Sequence, residues 1–143
     1  MAEIEYVSVA NHAEALNGLL YLSGAGWTDL RRAVVADAPL PITHFGIALS
    51  VLVPFTETNR RHHLVLHIEP EDGGEDIVRI EADLEVGRPP GMVVGADQRA
   101  VLALNAELQF PAAGGYRIVA ELADKISTTS FRVHDLAVAG APG

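Results

Sequence analysis

Apolar and polar positions alternate with a period of two along much of this chain. Between positions 77 and 86, Val78, Ile80, Ala82, Leu84 and Val86 fall on one side, and Arg79, Glu81, Asp83 and Glu85 on the other. That spacing predicts a strand with one face in a core and one in water. Positions 63–69 repeat it, with Leu64, Leu66 and Ile68 set against His63, Val65, His67 and Glu69. The two segments flank Gly73-Gly74 in a polar stretch and read as a hairpin. Further strands are predicted at 4–10, 19–23, 27–34, 101–110, 116–122 and 127–133. Positions 47–53 are almost continuously apolar, as in a strand covered on both faces. A one-residue slip in these strands would turn charged faces inward, so their register is expected to be well fixed.

The punctuation between strands is chemically specific. Asn17-Gly18 is a strong hairpin-turn signal, and Asn11 before it could instead cap a helical turn through Leu16. Gly24-Ala25-Gly26 permits a bend, and Ala38-Pro39-Leu40-Pro41 interrupts regular structure. Eight or nine strands with turn signals about every 8–12 residues predict an all-β domain. The expected architecture is an immunoglobulin-like two-sheet antiparallel β-sandwich, with a closed β-barrel as the alternative. The domain is expected to span 1–136, with 137–143 as a flexible C-terminal tail.

Composition narrows the function. The 143 residues suit one core, and 49% hydrophobic content excludes a disordered chain. The mean hydropathy of +0.21 is high for a small soluble protein, which leaves room for apolar surface covered by a partner. A formal charge of −9 disfavours nucleic acid and anionic membrane. The absence of cysteine removes disulfides, thiolate metal sites and a cysteine nucleophile. No apolar run reaches the ~20 residues of a spanning helix. The acidic start Met1-Ala2-Glu3-Ile4-Glu5 lacks a signal-peptide pattern, so a cytoplasmic location is expected.

Two groups of segments resemble a known family. The first runs from Ala10-Asn11-His12 through Asn17-Gly18-Leu19-Leu20-Tyr21-Leu22-Ser23-Gly24-Ala25-Gly26-Trp27. The second comprises Phe55 to His62, Glu85 to Gly91, and Gly115-Tyr116 to Phe131-Arg132-Val133. Together they are similar to small uncharacterised bacterial proteins, a domain-of-unknown-function family of immunoglobulin-like sandwiches. The resemblance covers nearly the whole chain and implies a β-sandwich but no activity.

Candidate chemistry is sparse. His63 and His67 share a strand face but lie about 13 Å apart, too far to chelate one ion. The acidic turn from Glu69 to Asp76 lacks the ligand alternation of a calcium loop. Gly24-Ala25-Gly26 lacks the third glycine and the βαβ unit of a dinucleotide site, and Ser23 has no nucleophile-elbow context. No catalytic residue, metal site or cofactor is therefore expected. Arg88, held in Gly87-Arg88-Pro89-Pro90-Gly91, is the candidate anion clamp, with His44 as its partner in a small-molecule site. Trp27, the one tryptophan, is expected to plug the core between sheets. The favoured reading is a non-catalytic interaction or structural module that forms a homo-oligomer or docks on a protein. Its candidate surfaces are Val51 to Phe55 and Met92-Val93-Val94, with Phe55 and Val93 as anchors.

Overall fold

The computed structural model describes residues 1–138. Among these, nine strands run in chain order: β1 (Glu3–Leu16), β2 (Leu19–Ala25), β3 (Asp29–Val35), β4 (Thr43–Val53), β5 (Arg61–Pro70), β6 (Val78–Glu85), β7 (Gln98–Leu108), β8 (Gly114–Leu122) and β9 (Lys125–Val138). They form a four-stranded sheet, β2-β1-β4-β7, and a five-stranded sheet, β3-β9-β8-β5-β6. The architecture is the two-sheet β-sandwich, with neither sheet continuing into the other as a closed barrel would. The expected tail falls largely outside the described residues; Ala137 and Val138 belong to β9.

Turn chemistry sets the hairpins. Asn17 and Gly18 both take positive φ, 52° and 75°, as the two-residue turn that matches strand twist requires. That turn pairs Leu16 with Leu19, so positions 11–16 continue β1 rather than forming a helical turn. Local capping by Asn11 loses here to a ladder of cross-strand bonds. The predicted hairpin of β5 and β6 is present, with Leu66 opposite Ile80.

One pairing departs from the antiparallel expectation. β3 lies parallel to β9, with Leu30 opposite Val133 and Arg32 opposite Asp135. The chain crosses from one sheet to the other between β2 and β3, so β3 arrives beside the last strand in the same direction. Arg32 is buried there, giving Nε to Asp135 Oδ1 at 2.6 Å and a terminal nitrogen to the Phe110 carbonyl at 2.6 Å.

The core lies between the inner faces of the sheets. β4 supplies Phe45, Ile47, Leu49, Val51 and Val53, opposed by Leu64, Leu66 and Ile68 of β5 and Ile118, Ala120 and Leu122 of β8. As predicted, β4 is also covered on its outer side, where Ala48 and Ser50 have no exposure. One end of the core is aromatic. Phe131 packs with Trp27, Phe45, Phe110 and Tyr116, at ring centroid distances of 5.2–5.8 Å. Trp27 thus meets Phe45 of one sheet and Phe131 of the other. Tyr116 closes this end by donating its hydroxyl to the Ala112 carbonyl at 2.6 Å.

Candidate functional site

Arg88 is engaged by its own chain. Its Nε donates to Thr58 Oγ1 at 2.6 Å and a terminal nitrogen to the Phe55 carbonyl at 2.9 Å. Its guanidinium stacks 3.8 Å from the Phe55 ring centre. These contacts staple the β6–β7 loop to the short 3-10 turn Phe55–Glu57 and cover part of Phe55. Val51 and Val53 have no exposure, so the Val51-to-Phe55 segment belongs mainly to the core. Val93 and Val94 in the same loop are 73% and 84% exposed. His44 begins β4, whereas Phe55 follows its far end. About 30 Å of extended strand separates them, and His44 and Arg88 are not brought together.

His44 instead joins a chain of side chains across three strands. Glu107 Oε1 on β7 lies 2.6 Å from His44 Nδ1. His44 Nε2 lies 3.0 Å from His12 Nδ1 on β1, and His12 Nε2 is 3.1 Å from Glu14 Oε1. The two imidazoles stack at 5.3 Å with planes 21° apart. In the contact between the rings one nitrogen donates and the other accepts. Gly46 makes room for this crossing. A Cβ there would come within 3.0–3.1 Å of the His12 and Ala13 backbone. Asn105 completes it, accepting from Ala13 N at 3.0 Å and donating to the Ala13 carbonyl at 2.7 Å.

A histidine–carboxylate cluster lies on the outer face of the five-stranded sheet. His67 is buried, with Nδ1 3.2 Å from Asp76 Oδ1 and 3.9 Å from Glu69 Oε2. Its Nε2 faces Glu121 Oε1 at 3.7 Å. His63 does not join it, being paired with Asp83 at 2.9 Å. That contact, then Glu81, raises the His63 pKa above its usual value. The signal for this cluster in the sequence is His67-Ile68-Glu69, whose outer two residues lie two positions apart on the same strand face. Asp76 reaches the cluster only through the β5–β6 turn.

Carboxylate–arginine contact marks the other sheet. Arg99 on β7 grips Glu5 on β1 through both carboxylate oxygens, and Ser50 Oγ donates to Glu5 Oε1 at 2.8 Å. These bonds, Arg99's first, lower the Glu5 pKa to about 2. A cavity of about 530 Å³ lies between the β5–β6 turn and residues 111–116, with Glu71, Asp72 and Glu75 on its wall.

The sheet edges differ in charge. β3, β6 and β7 each carry ionised residues: Asp29 and Arg31; Arg79, Glu81, Asp83 and Glu85; Arg99 and Glu107. The remaining edge, β2, reads Leu-Leu-Tyr-Leu-Ser-Gly-Ala and carries no acid or base. Leu19, Tyr21 and Leu22 are 58%, 53% and 38% exposed, and Leu16 beside them is 53% exposed.

Two packed sheets with an unguarded apolar edge define a β-sandwich protein. The chain belongs to a family of unknown function, DUF6941, whose model matches residues 5–134. Comparison with curated proteins and with solved structures gives no match. No helix among the described residues is long and apolar enough to cross a membrane.

Proposed function

We propose that this protein is a non-catalytic interaction module that self-associates through β2. The observation that carries this reading is the contrast among edges: three are charged, and the fourth is neutral and apolar. A strand edge offers a row of unpaired N–H and C=O groups, and proteins ordinarily guard it with charge. Antiparallel addition of β2 to β2 of a second copy is self-complementary about a two-fold axis. It joins the four-stranded sheets of two protomers and covers Leu19, Tyr21 and Leu22. A neutral seam also suits a chain of net charge −9, which repels its own copies elsewhere.

An immunoglobulin-like topology is part of this proposal. The orders β1-β4-β7 and β6-β5-β8-β9 match the A-B-E and C′-C-F-G sheets of that fold. The Tyr116 hydroxyl bond to a carbonyl four residues upstream has the form of its tyrosine corner. Acidic charge and the lack of cysteine suit a bacterial cytoplasmic protein. Arg88, already bound to Thr58 and Phe55, offers little to a small anion, so the interaction reading is preferred to a ligand site at Gly87-Gly91.

Light scattering across a concentration series tests the proposal. The expected result is a dimer that a Leu19→Lys, Tyr21→Lys double variant dissociates at least tenfold more readily, while Val93→Glu leaves it intact. A monomer at every concentration, or a dimer broken by Val93→Glu and not by the β2 variant, overturns it.

A further inference from the structure

We propose that His67, Glu69 and Asp76 form a binding site for a divalent transition-metal ion of the zinc type. The three ligand atoms lie within 4.8 Å of one another. In a tetrahedral site with bonds of about 2.0–2.2 Å, neighbouring ligand atoms sit roughly 3.4 Å apart. The contacts from His67 Nδ1, 3.2 Å to Asp76 and 3.9 Å to Glu69, bracket that value. Small side-chain rotations at Glu69 and Asp76, both partly exposed, close the geometry around an ion.

The surroundings are those of a ligand histidine rather than of a simple ion pair. Metal-binding imidazoles commonly present their second nitrogen to a carboxylate, which fixes the ring. Here Nε2 of His67 faces Glu121 on the neighbouring strand. Glu69 is fixed in the same manner: Arg117 Nε donates to its Oε1 at 2.7 Å, leaving Oε2 toward His67. Val119, opposite His67 in the strand register, and Val65, two positions before it on β5, are themselves buried. Three carboxylates thus surround one histidine, and one of them, Glu69, also holds the Arg117 guanidinium. Arg79, opposite His67 in the strand register, turns instead to Glu81 at 3.5 Å. The excess negative charge favours a divalent cation. The nitrogen donor favours zinc, iron(II) or nickel over calcium and magnesium, and the lack of thiolate disfavours copper(I).

The backbone builds this arrangement. His67 and Glu69 are two apart on β5 and so share its outer face. Ile77 N donates to the Ile68 carbonyl at 2.8 Å, which places Asp76 beside them.

Calorimetric titration of the untagged protein with zinc chloride tests the site. The expected result is one ion per chain, with affinity at least tenfold lower in His67→Gln and in Asp76→Asn, and unchanged in His44→Gln. Circular dichroism checks the folding of each variant. Should His67→Gln not fold, Asp76→Asn and Glu69→Gln carry the decision, because both alter partly exposed side chains. No zinc binding, equal binding in folded variants of all three residues, loss of binding in His44→Gln alone, or calcium bound as tightly as zinc would each overturn the proposal.

Discussion

Asn105 acts as a piece of strand. Its amide gives and takes one hydrogen bond with Ala13, much as a backbone peptide does, across the gap left by Gly46. Asn105→Ala leaves both Ala13 groups without that partner and should cost about 1–3 kcal/mol in urea unfolding. Glu5 belongs to the same sheet and makes stability depend on pH. Its pKa is about 2 in the folded protein against an ordinary 4.5. The folded state therefore takes up this proton later than the unfolded state does. The contribution is full above about pH 4.5 and is lost as pH falls through about 2. In urea titrations over that window, Glu5→Gln should show a shallower loss of stability than the parent protein. His63 works in the opposite sense. Its raised pKa contributes stability below about pH 6.5, lost as pH rises through the folded value, and its exposure keeps the effect small.

At the level of elements, the parallel strand β3 is held by a buried charge as well as by its ladder. Arg32 ties β3 to Asp135 on β9 and to the Phe110 carbonyl beyond β7. Arg32→Ala should destabilise the fold by about 1–3 kcal/mol in thermal or urea unfolding, because it removes the hydrogen bonds to Asp135 and to the Phe110 carbonyl. Asp135→Asn should cost at least as much, because it leaves the buried Arg32 guanidinium without its countercharge. β2 has no comparable anchor. It is joined to the body by its turn, by β1 and by a smaller contact with β7, and it is the end strand of its sheet. This makes it the element through which a second copy is expected to add.

For the molecule as a whole, stability rests on inner faces that meet without charge. Phe131 touches four other rings drawn from both sheets and the loop carrying Trp27. Phe131→Ala should therefore be among the costliest single changes, about 3–5 kcal/mol in urea unfolding. Trp27 fluorescence reports directly on that cluster. Ile126, 64% exposed near the β8–β9 turn, provides the contrast: Ile126→Ser should change stability by no more than about 0.5 kcal/mol. The outer faces carry the rest of the molecule's chemistry, a histidine chain on one sheet and a histidine–carboxylate cluster on the other.

Period-two alternation and turn residues were enough to determine the all-β class, the β5–β6 hairpin and the turn at Asn17-Gly18. These are short-range properties: a strand's faces and a turn's φ angles depend on adjacent residues. The same local information left open whether 11–16 would be helical or extended, because only the ladder to β2 decides it. It also could not reveal the parallel pairing of β3 with β9, which joins positions about a hundred residues apart. Arg88 looked available to a ligand because Thr58 and Phe55, its partners, are 30 and 33 positions away. His67 and Glu69 were legible as neighbours on one face, whereas Asp76 and Glu121 joined them only when turn and sheet had formed. Periodicity specifies which side of a strand is buried. Which side chains meet on the other side is decided by strand order and register, and those are set by the packing of the whole core.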